Sequence, residues 1–180
     1  TDVDDGDVLT FESGVNGNAS AEVSGDQLIL TPDFNFNGDI LVTVVVSDLS
    51  GLSDSQTFTL SVTPVNDAPT LSAVDAVNFN EDSSTSITLS GSDVNGDDLT
   101  YSVSDGTDII ATVDGSTVSF TAPADFNGSE SFTATVTDDQ LSSSQTFTVT
   151  VNAVNDAPTA NAASGTTNED QSVVIGLSGD

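Results

Sequence analysis

The chemistry open to this chain is that of carboxylates and amides. It carries 29 Asp plus Glu and no Lys, Arg, His or Cys, for a formal net charge of −29. No imidazole or amine can serve as a general base near neutrality, and no thiolate can act as a nucleophile. Zinc lacks its preferred nitrogen and sulfur ligands. Nothing neutralises phosphate, which excludes nucleic-acid binding. What remains is hard-cation chemistry, because calcium takes about six to eight oxygen ligands in flexible geometry. Such an ion would also relieve the acids. With no side-chain cation in the sequence, a desolvated carboxylate must take hydrogen bonds, a proton or a metal. Mutual repulsion meanwhile opposes compaction.

The spacing of these groups is periodic. Val65-Asn66-Asp67-Ala68-Pro69-Thr70 returns unchanged as Val154-Asn155-Asp156-Ala157-Pro158-Thr159. The prolines end strand pairing, and Asn and Asp before them favour turns. One reading of this segment is therefore a stiff turn between modules. The other is half of a calcium site, with Asn66, Asp67, Asn155 and Asp156 offering short side chains with hard oxygens. Further acids fall outside the apolar runs: Glu81 and Asp82, the Asp93-Val94-Asn95-Gly96-Asp97 loop, Asp125 and Asp138. The twelve-residue loop of an EF-hand, with its closing Glu, is absent. Paired carboxylates can cleave glycosides, but one Tyr and no Trp leave little to stack on a sugar. Asp105-Gly106-Thr107 has the residue order of no aspartic-protease motif. The chain is read as not an enzyme.

The elements that must position these acids are strands. Apolar residues alternate with Thr and Ser, as in Thr57-Phe58-Thr59-Leu60-Ser61-Val62, and a period of two marks half-buried strands. The repeat extends through the chain. Gln56-Thr57-Phe58-Thr59 matches Gln145-Thr146-Phe147-Thr148, Asn80-Glu81-Asp82 matches Asn168-Glu169-Asp170, and Leu89-Ser90-Gly91 matches Leu177-Ser178-Gly179. Asp33-Phe34-Asn35-Phe36-Asn37-Gly38 is echoed by Asp125-Phe126-Asn127-Gly128. A period of about 90 residues suits one small β-sandwich. The expected organisation is a module over 1–69 lacking its first strands, a complete module over 70–158, and the opening strands of a third over 159–180. The complete module is expected to hold seven strands: 76–79, 86–89, 99–103, 109–113, 117–121, 131–137 and 146–151. Asp114-Gly115 is expected to form a type I′ turn, and no helix is expected. No apolar stretch is long enough to span a bilayer, and no signal peptide stands at residue 1.

These motifs, in this order, resemble the bacterial cadherin-like tandem repeats of large secreted surface adhesins. The hinge Val-Asn-Asp-Ala-Pro is similar to the cadherin linker. Ser92-Asp93-Val94-Asn95-Gly96-Asp97-Asp98-Leu99-Thr100-Tyr101 resembles its acidic loop and following strand. Asn80-Glu81-Asp82 resembles its early ligand-bearing glutamate, Asp138 its strand-closing acid, and Asp125 a corner acid. The resemblance implies an all-β chain of tandem seven-stranded Greek-key β-sandwich modules of cadherin-like or Ig-like type. It implies Ca²⁺ as the cofactor, with one junction using Asp33, Asn66, Asp67, Asp93, Asn95 and Asp138. A second would use Glu81, Asp125, Asn155, Asp156 and Asp180, and Asp2, Asp4 and Asp48 would face a preceding one. The implied function is a calcium-stiffened extracellular spacer or filament segment of a bacterial surface adhesin. The alternatives are a carbohydrate- or protein-binding module and a metal-free acidic linker. The expected partners are neighbouring modules of the same array, with head-to-tail strand donation of 159–180 between copies. Neither nucleic acid nor membrane insertion is expected.

Overall fold

A computed structural model describes residues 8–179. Fourteen strands and no helix occur among them. The backbone falls into two compact units. One comprises Thr1–Thr70, Gly91–Leu99 and Thr137–Ser143, the other Leu71–Ser90, Thr100–Val136 and Ser144–Asp180.

In the first unit, β1 (Thr10–Val15), β4 (Gly38–Ser47) and β5 (Ser53–Val62) form one antiparallel sheet with β4 in the centre. β2 (Ala19–Ser24) and β3 (Gln27–Pro32) form a separate hairpin. Ile40 and Val42 on β4 are fully buried, as period-two alternation on a central strand requires.

Two-residue strands β6 (Thr70–Leu71) and β9 (Gly91–Ser92) are the shortest among the described residues. The second unit is more complete. One sheet runs β10 (Thr100–Val103), β13 (Gly128–Thr137), β14 (Ser142–Asn152), β7 (Val77–Asn80), with β7 parallel to β14. The other runs β11 (Ile110–Asp114), β12 (Thr117–Thr121), β8 (Ser84–Thr88), all antiparallel. Phe132, Ala134 and Val136 on β13 face inward beside Phe147, Val149 and Val151 on β14. Phe120 from β12 meets Phe132 and Phe147 edge-on, at centroid separations of 5.5 and 6.0 Å. Such T-shaped contacts suit the ring quadrupoles.

The expected strands match these within a few residues, except that β13 and β14 start earlier. Their added residues, Gly128–Glu130 and Ser142–Gln145, show little apolar alternation. The β11–β12 turn also differs from expectation. Asp114 pairs with Thr117, so the loop residues are Gly115 and Ser116. Gly115 has φ +59° while Ser116 is not left-handed. That is the sign pattern of a type II′ turn, which needs glycine only at its first loop position. Gly25 has φ +66° in the corresponding turn between β2 and β3.

Candidate metal centre

The first unit gathers Asn66, Asp67, Asp93, Asn95 and Asp138. Each is placed by turn chemistry. One oxygen of Asp93 accepts the N–H of Asn95 at 2.7 Å and of Gly96 at 3.0 Å, an Asx turn that fixes the loop after β9. Asn95 then clamps the hinge: its Oδ1 accepts the Asp67 N–H at 2.8 Å and its amide donates to the Val65 carbonyl at 3.0 Å. Asp138 closes β13, where its Oδ1 accepts the N–H of Gln140 at 2.8 Å and Leu141 at 2.6 Å. Its other oxygen accepts the Asn66 amide at 2.9 Å. The Leu141 N–H and the Asn66 amide hold the Asp138 carboxyl below the usual carboxylate range.

One atom in this group is left over. Asp93 Oδ2 is buried and has no hydrogen-bond partner. A desolvated anionic oxygen without a donor is costly, and a cation would remove that cost. Nearby in the same unit, a cleft of about 220 Å³ is lined by Asn35, Phe36, Asn37, Val65, Asp67 and Asn95 among others. Its polar walls are oxygen donors of the kind calcium uses.

The second unit brings together Asp82, Asp125 and Asp156. One carboxylate oxygen from each lies within 4.8 Å of the others, and all three residues are exposed. Asp82 and Asp125 have φ of +59° and +57°, left-handed values that Asp tolerates better than most residues. The Asp125 N–H points to Asp82 Oδ1 at 3.3 Å. Glu81, beside them, is only 6% exposed. Its carboxylate accepts the Val154 N–H at 2.5 Å and the Asn127 amide at 3.4 Å. Partial desolvation raises the Asp156 carboxyl, and the charges of Asp125, Asp82 and Glu81 raise it further. No cation of the chain offsets this repulsion. The donor set, carboxylates and amide oxygens only, fits a hard divalent ion.

Asp48 accepts the Leu52 N–H at 2.8 Å in the turn after β4, the counterpart of Asp138 after β13. Asn155 is exposed, and its amide donates to the Asp156 carbonyl at 3.0 Å. Asp33 is exposed in the corner after β3. Asp2, Asp4 and Asp180 lie outside the described residues. The corner geometry also sets the register of the repeat. Phe36 N–H bonds to the Asp33 carbonyl as Phe126 N–H bonds to that of Pro123, and Asn35 has φ +59° like Asp125. Asn35, not Asp33, therefore stands where Asp125 stands.

Sequence reasoning missed Asn35 and Asn37, which line the first-unit cleft, and Asn127, whose amide donates to Glu81. The Asn-Gly pair closing both corners was the available signal. It also missed Glu130, which accepts the N–H of Thr107 and Asp108 at 2.8 Å each and of Ile109 at 3.4 Å. Burial pushes its carboxyl up, but the backbone donors of Asp108, Thr107 and Ile109 outweigh that and hold it low. Glu130 is thereby a structural clamp on the β10–β11 loop. Of the corner aromatics, Phe36 and Phe126 are half-buried, whereas Phe34 is 92% exposed and stands alone.

Two sandwich-type β units with acidic loops define an immunoglobulin-like or cadherin-like protein. The chain belongs to the bacterial Ig domain family, whose sequence model matches residues 1–61 and 66–152. No curated protein matches it. Among solved structures it is similar to protocadherin gamma B2 extracellular cadherin domains 3–6, at 22% identity and a TM-score of 0.51, over 89% of this chain and 45% of that one. Protocadherin gammaB7, in a structure of its EC3-6 cis-dimer, is similar at 20% identity and a TM-score of 0.50, over 84% and 42%. An endo-fucoidan hydrolase of glycoside hydrolase family 107 gives 24% identity and a TM-score of 0.41, over 83% of this chain and 24% of the enzyme. The chain thus spans less than half the length of each of these neighbours. Among the described residues, no helix is long and apolar enough to cross a membrane.

Proposed function

We propose that the chain is a calcium-binding spacer segment of an extracellular bacterial surface adhesin, a structural element and not a catalyst. Its modules follow the repeat, 1–69, 70–158 and the start of a third at 159–180. The observation that carries this reading is the pairing of an orphaned buried anion, Asp93 Oδ2, with a convergence of three carboxylates at Asp82, Asp125 and Asp156. Both groups include residues of the repeated hinge, Asp67 and Asp156. Bound calcium would supply the positive charge that this chain lacks.

The protein's own part is to hold the oxygens ready. Asn95 ties the hinge backbone at Val65 and Asp67, and Glu81 ties the second hinge at Val154. Neutralising the nearby acids would stiffen each hinge against rotation, which is the property a spacer needs.

Thermal unfolding against calcium concentration tests this, starting from chelated protein with magnesium as control. A calcium-selective rise in midpoint is expected from ligand linkage. A flat response removes the metal from the account and leaves a spacer whose hinges are set by proline and turn chemistry.

A further inference from the structure

An Asn-Gly pair is chemically unstable where the backbone lets it close on itself. The glycine nitrogen attacks the asparagine Cγ, and glycine allows the approach because it has no Cβ and a permissive backbone. The chain has four such pairs: Asn16-Gly17, Asn37-Gly38, Asn95-Gly96 and Asn127-Gly128. Three of them are held. The Gly96 N–H donates to Asp93 Oδ1 at 3.0 Å, and the Asn95 side chain is tied to the hinge through both its oxygen and its amide. Gly38 opens β4 and pairs with Val62. Gly128 opens β13, and the Asn127 amide donates to Glu81 at 3.4 Å.

Asn16-Gly17 differs. It lies in the turn between β1 and β2, outside any strand, and both residues are exposed. The Gly17 N–H has no hydrogen-bond acceptor among the described residues. Gly17 has φ +127°, and a Cβ built on it would meet nothing within 4 Å. The Asn16 side chain is nonetheless fixed. Its Oδ1 accepts the Leu41 N–H at 3.0 Å, while its own backbone N–H donates to the Leu41 carbonyl at 3.2 Å. Comparison with the second unit explains the free nitrogen. There Glu130 takes the N–H groups of Thr107, Asp108 and Ile109 in the corresponding loop. Counted from the shared Asn-Gly, the residue in the place of Glu130 is Ile40, a buried side chain with no acceptor to offer.

We infer that Asn16 is a self-modification site, the position at which the folded chain deamidates first. The Gly17 nitrogen bonds to Asn16 Cγ and gives up its proton. The Cγ–Nδ2 bond breaks, and ammonia leaves with that proton. The five-membered imide so formed takes up one water at either carbonyl, leaving aspartate or isoaspartate at position 16. The step needs water alone, with no oxidant, reductant or enzyme. Proximity supplies the nucleophile. The Leu41 N–H sits on Oδ1, the oxygen that gains charge during the attack, as an oxyanion donor does. The aspartate product keeps an oxygen for Leu41. The isoaspartate product carries the main chain through the former side-chain carbon, which lengthens the turn by one methylene and releases its clamp on β4.

Peptide mapping by mass spectrometry tests this on the full chain, aged at mildly alkaline pH and then cut with chymotrypsin, since no Lys or Arg is present for trypsin. Chelator in the buffer keeps the outcome independent of the calcium reading. In the folded chain, conversion at Asn16 is expected to run about tenfold or more ahead of Asn37, Asn95 and Asn127, the factor for one hydrogen bond that must break before attack. In urea the four pairs should convert at similar rates, because the protection of the other three belongs to the fold. Isoaspartyl methyltransferase should label the aged folded chain at position 16, and Asn16→Ser should remove that early label while leaving the other three rates unchanged. A folded chain in which any other pair converts as fast as Asn16 overturns the inference. So does an Asn16 that converts in urea but not in the folded chain, or an early label that survives Asn16→Ser.

Discussion

Asp93 separates two roles that acidic loops usually combine. Its Oδ1 organises the loop by accepting the Asn95 and Gly96 N–H groups at 2.7 and 3.0 Å, while Oδ2 is buried without a partner. Asp93→Asn keeps a carbonyl oxygen for the loop and replaces only the orphan. Asp93→Ala removes both. A hydrogen bond to a charged acceptor contributes about 1.5–3 kcal/mol. This loop is half-exposed, so water recovers part of the loss, and the two bonds together are expected to cost about 2 kcal/mol in Asp93→Ala. At roughly 4–8 °C per kcal/mol for a domain of this size, the midpoint falls by on the order of 10 °C. In chelator, Asp93→Asn should stay within about 0.5 kcal/mol of the parent, the usual range for a substitution that breaks no such feature.

Calcium reverses the comparison. At a free concentration one hundred times Kd, a single site adds about 2.7 kcal/mol, again on the order of 10 °C. Asp93→Asn should lose most of that gain at the first-unit site even though it folds normally without the ion. Differential scanning calorimetry in chelator, in calcium and in magnesium reads all four quantities. The reasoning fails if Asp93→Asn retains the full calcium-dependent rise. It also fails if Asp93→Asn is as destabilised in chelator as Asp93→Ala, because the turn and the orphan oxygen would then not be separable.

Three further outcomes follow from the acid groups. Asp156→Asn should raise the unfolding midpoint in chelator, by relieving repulsion from Asp125, Asp82 and Glu81, and lower it in calcium; the same sign in both buffers would refute the site. The pH profile of chelated protein should show the same group. Because the Asp156 carboxyl is raised when folded, its penalty is present at neutral pH and is relieved as pH falls through the raised value toward the ordinary 3.8. Asp138 has the opposite sign. Its lowered carboxyl contributes stability above 3.8 that is lost as pH falls through the folded value, so Asp138→Asn should destabilise near pH 7 and matter progressively less in strong acid. Last, Gly106→Ala should destabilise the second unit by about 1–3 kcal/mol, since its Cβ would strike the Ile109 carbonyl, Glu130 Oε2 at 2.5 Å and the Phe132 ring at 2.7 Å. Urea unfolding measures this, and an unchanged midpoint would show that the loop shifts freely.

Much of the fold was legible because a strand's period of two writes directly into sequence. Phe132, Ala134 and Val136 alternate with Thr, and all three are fully buried. The extensions of β13 and β14 were not, since Gly128–Glu130 and Ser142–Gln145 carry no apolar alternation. The hinges and the Asp93 loop were legible as oxygen-rich turns. The corner register was misleading. The shared Asp-Phe start aligns Asp33 with Asp125, but conformation places Asn35 there, since Asn35 and Asp125 are both left-handed. Glu130 was invisible for a different reason. Its partners are backbone N–H groups of a loop more than twenty positions earlier, and no side-chain pattern announces a backbone donor.

That last case explains how a chain with no cation sorts its acids. Glu130 has three backbone donors, Asp138 has two with an amide, and Asp48 has one, Leu52. These carboxylates are held by fixed dipoles. Asp82, Asp125 and Asp156 converge instead on one another, and Asp93 keeps one oxygen bonded and one bare. In an ordinary protein, Lys or Arg could balance such groups, and an acidic cluster would say little about ligands. Here that answer is absent from the sequence, so the carboxylate oxygens left without a donor are the ones that must turn to an ion, a proton or water. The repeat then makes the argument sharper. Asp67 and Asp156 occupy the same hinge position, yet the first sits under the Asn95 clamp and the second among three acids. The two sites should therefore differ in affinity, the second gaining more from charge neutralisation and losing more as salt screens it.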